Sequence, residues 1–128
     1  MLIEVAEDTK AKSGIVPPTK GNKMSVANYE YELVSKSPYK YTSDDVFFKV
    51  YAARNKIPKS DHEKERELFF SKGRPCFRAS PLTKTYGWGV HSDSDGRVAI
   101  FGVDSNEYLK LVKDEEIEKR KAMRSKRN

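Results

Sequence analysis

The sequence predicts an α+β fold: a small, mostly antiparallel sheet packed by three to four helices, with a basic C-terminal tail. Three observations predict it. Helical apolar stripes follow good cap residues in several places. Two strand-like runs flank an Asp-Gly turn signal. The last ten residues, Lys119 to Asn128, carry six basic side chains and no acidic one. The 128 residues suit one domain, expected over 1–116, with a helical or frayed tail over 117–128.

Leu2 to Val5 is expected as a short strand. Thr9 to Lys23 holds two Gly, two adjacent Pro and four Lys, and so makes a loop. Ser25 caps a helix to about Ser35, with Val26, Tyr29 and Leu33 on one face. Ser37-Pro38 breaks it, because the residue before proline avoids the helical region. Thr42 caps the next helix, and Asp44 and Asp45 in its first turn suit the helix dipole. Its stripe of Val46, Phe47, Val50 and Tyr51 marks it as packed on the core. Ser60 with Glu63 forms a capping box for a third helix ending at Gly73, with His62 on its solvated face.

Cys76 to Ala79 is expected as a strand, with Cys76 in the core. Residues 88–92 and 97–103 form a hairpin around Asp93 to Gly96. The second of these strands is apolar on both faces, so it should lie centrally or be covered by helices on both sides. Asp104 with Glu107 is a further capping box, opening a helix through Tyr108, Leu111 and Val112.

Charge distribution bears on function. The chain has 25 Lys+Arg and 19 Asp+Glu, and a sequence pI of about 9.3. Without the tail, 19 basic residues face 19 acidic ones, so the body is neutral. Within it, residues 68–92 carry four cations (Lys72, Arg74, Arg78, Lys84) and no acid. The single cysteine excludes an intramolecular disulfide and fits a reducing, cytoplasmic setting. The longest apolar run is far short of the ~20 residues of a membrane helix, so a soluble protein without a membrane partner is expected. Two His and one Cys at unsuitable spacings suggest no metal site and no cofactor. His91 to Gly96 lacks the terminal carboxylates of a calcium loop and is a turn.

Arg78 to His91 (RASPLTKTYGWGVH) is the least ordinary segment. Arg78, Lys84, Tyr86, Trp88 and His91 would suit an anionic or planar ligand through ion pairing and stacking. In the structural alternative, Tyr86 and Trp88 are core and the cations are solvated. Tyr39 and Tyr41 around Lys40 either stack on a single strand or pack their rings on the body.

The chain resembles a family of small, mainly bacterial proteins known only as a domain of unknown function. The resemblance rests on IEVAED (3–8), IVPPTKG (15–21), SPYKYTSDDV (37–46), RASPLTKTYGWGVHSDSDG (78–96) and KAMRSKR (121–127). It implies no activity, cofactor or catalytic residue. It does imply that the tail belongs to the family pattern, and that members begin several residues before Met1.

The leading expectation is a non-catalytic binding module for an anionic partner, nucleic acid or a ribonucleoprotein. It would use the acid-free window, including Arg74, and the tail cations Lys119, Arg120, Lys121, Arg124, Lys126 and Arg127. The alternative is a small enzyme or ligand-binding protein with a pocket around Arg78, Tyr86, Trp88 and His91. A purely structural interaction protein is a third expectation.

Overall fold

A computed structural model describes every residue except Lys20, Asn22, Arg74 and Ser125 to Asn128. The fold is α+β. Four strands, β1 (Leu2–Glu4), β2 (Trp88–Ser92), β3 (Val98–Gly102) and β4 (Lys119–Lys121), form one sheet in the order β3-β2-β1-β4. The β1–β2 and β2–β3 pairs are antiparallel, and β1–β4 is parallel. Five α-helices are seen among the described residues: α1 (Val26–Lys36), α2 (Ser43–Arg54), α3 (His62–Ser71), α4 (Pro81–Lys84) and α5 (Asn106–Lys113). No helix among them is long and apolar enough to cross a membrane.

Side chains alternate along strands, so the register sorts the two faces of the sheet. Ile3 pairs with Val90, and both join Val98, Val34, Val46, Val50, Phe47 and Phe77 in the main core under α1 and α2. The other face carries α5. A side chain at Gly89 would come within 2.4 Å of the Tyr108 ring, so glycine is what lets this helix lie against β2. The Tyr108 hydroxyl then accepts a hydrogen bond from the Val5 amide at 3.2 Å.

Local signals for α1 and α2 are met. Ser25 and Asn28 form a reciprocal capping box, and so do Thr42 and Asp45. Two expected boxes are displaced. A 3-10 turn over Lys59–Asp61 takes up Ser60, and α3 starts after Asp61 without a side-chain cap. At α5 the cap is Ser105, whose hydroxyl accepts from the Tyr108 amide. Asp104 instead accepts from the Gly14 amide at 3.2 Å, fastening the long N-terminal loop. His62 is not solvated: its ring meets Phe48 edge-on at 5.4 Å and its Nε2 lies 3.1 Å from the Ile57 carbonyl.

Two further expectations are corrected, and one is met in one of its two forms. Cys76 to Ala79 is not a strand, because Phe77–Ala79 form a 3-10 turn that runs into α4. Ser80 caps that helix, and Pro81 supplies its preset φ at the first position. Only Phe77 of this segment is buried, and Cys76 is exposed. Second, β3 is an edge strand, and of its two expected placements it is the cover by helices on both sides that is observed. Its two apolar faces are covered by α1 and α5, and its outer edge is bonded to residues 39–42: the Tyr39 amide to the Val98 carbonyl, and the Val98 amide to the Tyr41 carbonyl, both at 2.9 Å. Third, the tail is neither helical nor frayed over its described part. Lys119–Lys121 is β4, Ala122 is buried in the core, and the Ala122 amide bonds the Glu4 carbonyl at 2.9 Å.

The hairpin follows its turn signal in a longer form. The Gly96 amide bonds the Asp93 carbonyl, the Asp93 amide bonds the Arg97 carbonyl, and Gly96 has φ +77°. This is a three-residue loop with glycine at the left-handed position.

Candidate functional site

Trp88 and His91 stand three residues apart on one strand, and therefore on opposite faces of the sheet. The pocket expected around Arg78, Tyr86, Trp88 and His91 is not assembled. Trp88 lies on the α1 face against Tyr31, with ring centroids 5.4 Å apart. Its Nε1–H donates to the Ile15 carbonyl at 2.8 Å, and the Ile15 amide donates to the Tyr86 carbonyl at 2.8 Å. Gly87, at φ +77°, leaves room for the Ser13 carbonyl, which would lie 2.4 Å from an added Cβ. The TYGWG segment thus clamps the Ala11–Ile15 loop, and its indole is committed to that clamp. Lys84 ends α4 and is half-buried, as is Tyr86.

On the α5 face, His91 meets Tyr39. The phenol oxygen is 2.9 Å from Nδ1, and the rings cross edge-on. Tyr39 has φ +58°, an uncommon conformation for an aromatic residue. Desolvation lowers the His91 pKa from its ordinary value, the Met1 ammonium lowers it further, and Asp93 opposes them. Desolvation, then Asp93, raises that of Tyr39. Of the two arrangements expected for Tyr39 and Tyr41, ring packing on the body is the one observed.

Of the cations in the acid-free window, Arg78 meets the tail at the β4 edge, whereas Lys72 follows α3 and Lys84 ends α4. Arg78 Nε donates to the Lys121 carbonyl at 2.8 Å, and the Met123 amide donates to the Arg78 carbonyl at 2.7 Å. The acid-free window and the tail are thereby joined, with β4 as the outermost strand. Lys121 and Arg124 approach one carboxylate, Glu7, at 3.5 and 3.4 Å. Arg120 turns to Glu118 at 3.1 Å, and Lys119 donates to the Ile117 carbonyl at 3.0 Å. Arg78, Lys121 and Arg124 outnumber the neighbouring carboxylates of Glu7 and of Glu4, which is in register with Lys121. Arg74, Lys126 and Arg127 lie outside the described residues.

One chemically unusual group was not singled out from the sequence. Glu30, in α1, is 1% exposed, and its carboxylate accepts a 2.6 Å hydrogen bond from Ser80 Oγ. That hydroxyl also accepts from the Leu82 amide, so the cap of α4 is the same group that anchors the acid. No ion pair to Glu30 occurs among the described residues. Burial raises its pKa to about 7, against the lowering effect of Ser80. Glu30 lines a cavity of about 200 Å³ walled by Phe47, Val50, Tyr51 and Phe69, with the exposed Arg54 among its other lining residues. A signal was present: Val26, Glu30 and Val34 recur at four-residue spacing, which puts the acid on the buried stripe. No group of three or more His, Cys, Asp or Glu side chains that could hold a metal ion occurs among the described residues.

The profile of the Family of unknown function (DUF6157) matches residues 1–128. The chain belongs to this family. None of the curated proteins and none of the solved structures matches it. The segments that carried the resemblance in the sequence hold this family member's architecture together: SPYKYTSDDV covers the β3 edge and caps α2, and SPLTKTYGWG forms α4 and the loop clamp.

Proposed function

We propose that the protein is a non-catalytic binding module that takes a phosphate-rich polyanion, nucleic acid, along the β4 edge. The observation that carries this reading is the 2.8 Å bond from Arg78 Nε to the Lys121 carbonyl, which unites the acid-free window with the tail. Arg78 from the 3-10 turn, Lys121 from β4 and Arg124 just after it then offer guanidinium and ammonium groups along one edge, suited to phosphate oxygens. Glu7 holds two of these cations in place in the unbound state and offsets part of their charge. Binding of this kind is salt-sensitive and indifferent to base sequence. A single exposed thiol and such a partner fit a cytoplasmic setting.

The test is a titration of labelled single-stranded RNA with the full chain at several salt concentrations. The comparison protein carries Arg78→Gln, Lys121→Gln and Arg124→Gln together. Every phosphate that is no longer neutralised should flatten the logarithmic salt slope by about 0.7. Equal binding by both proteins would move the RNA away from β4. Absence of binding by either at low salt would end the nucleic-acid reading. Charge substitutions serve better than truncation, because the strand belongs to the sheet.

A further inference from the structure

We propose that the cavity between α1, α2 and α3 is a binding site for a small apolar molecule bearing one hydrogen-bond-donating head group, which Glu30 receives. The chemistry of the cavity defines the ligand. Phe47, Val50, Tyr51 and Phe69 supply apolar and aromatic walls, and Glu30 supplies a buried acceptor. Apolar walls with few convergent polar groups are the usual make-up of a small-molecule site. Its volume of about 200 Å³ suits a single ring with a short substituent, since an apolar cavity of about 150 Å³ already accepts benzene.

Glu30 is a poor choice for packing alone. A leucine would fill similar space without the desolvation of a carboxyl group. Ser80 engages Oε1, whereas a carboxyl group has several acceptor positions. The Ser80 bond fixes the head of the side chain, because that hydroxyl is itself held by the Leu82 amide. The acceptor is therefore positioned before a ligand arrives, which lowers the ordering cost of binding. At neutral pH Glu30 is divided between its two forms, and a protonated amine would draw it to the ionised one. An alcohol is accepted by either form. The site is independent of the β4 edge in its residues and in its ligand chemistry.

The experiment is an amide NMR titration of the full chain at pH 7 with benzylamine, benzyl alcohol and toluene as probes. Benzylamine and benzyl alcohol should give saturable shifts centred on Glu30 and Val50, with toluene at least tenfold weaker. Glu30→Leu should weaken both polar probes at least tenfold. Glu30→Gln keeps the volume and an acceptor oxygen, so it should retain the alcohol and weaken the amine at least tenfold. Absence of saturable shifts, toluene binding as well as the alcohol, or unchanged affinities in Glu30→Leu would each overturn the site. Should Glu30→Leu fail to fold, an amine-to-alcohol affinity ratio unchanged in Glu30→Gln overturns it alone.

Discussion

The Tyr39 hydroxyl and the His91 Nδ1 are 2.9 Å apart, joining the segment that covers the β3 edge to β2, one of the two inner strands of the sheet. The contact depends on the left-handed turn of Tyr39, at φ +58°, and on the bond from its amide to Val98. It fixes the segment that leads directly into the Thr42 cap of α2.

Removing the hydroxyl tests that contact. Tyr39→Phe keeps the edge-on ring packing and loses the hydrogen bond, and it should lower stability by about 0.5–1 kcal/mol at pH 7.5. The pH dependence has a definite sign. Because the folded pKa of His91 is depressed, the unfolded chain takes up this proton first as pH falls below about 6.5. The His91 contribution is whole above that pH and is lost on acidification. Urea midpoints for the wild type and His91→Gln between pH 5 and 7.5 check it: the variant should show the smaller acid loss, and parallel curves would refute the assignment.

Glu30 should act in the opposite sense. Its folded pKa is raised from 4.5 to about 7, so the folded chain holds a proton that the unfolded chain releases. Stability from this group is full below about pH 4.5 and is lost as pH rises through about 7. The shift corresponds to about 3 kcal/mol at most. Glu30→Gln, neutral at every pH, should leave stability little changed at pH 5 and raise it at pH 8. Denaturation midpoints at the two pH values measure the difference directly. A variant that is equally destabilised at both would show that the titration of Glu30 does not set the pH dependence.

Truncation after Glu118 should destabilise the protein severely. It removes β4, the backbone bond from Ala122 to Glu4, and the buried Ala122 itself. It also strips Arg78 of the two bonds that hold it to the strand. The missing ladder bonds and an uncovered Ile3 edge should lower the melting temperature by about ten degrees or more. Calorimetry of the truncated chain decides this; a melting temperature within about two degrees of the wild type would mean that β4 contributes no stability.

What was legible in the sequence was mostly local. Ser25, Thr42 and the Asp93–Gly96 turn act through neighbours a few residues away, and each lies where its pattern placed it. The α5 cap slipped by one residue, to Ser105, because Asp104 is drawn to the distant Gly14 amide, a contact absent from any local pattern. β4 was illegible because Lys119-Arg120-Lys121 has no apolar alternation; its place follows from backbone pairing with β1, far away along the chain. The separation of Trp88 from His91 was readable, since an odd spacing within a strand puts two side chains on opposite faces. Glu30 was readable too, from its position between Val26 and Val34. The Tyr39–His91 contact was not, because it requires a backbone conformation that aromatic residues seldom adopt.

The parallel pairing of β1 with β4 sets a timetable for biosynthesis. β1 is translated long before either of its neighbours, and its β4 edge has no partner until Lys121 is made. At cellular elongation rates of about 5–20 residues per second, roughly 6–24 s separate the synthesis of the two strands. Between the synthesis of Ser92 and that of Lys119, β1 can pair with β2 while its other edge carries unpaired backbone groups, the kind of edge that invites pairing with other strands. Closure of the sheet is thus a late event in the making of the domain, and a message cut short before Lys119 would yield a chain whose β1 never finds its second neighbour.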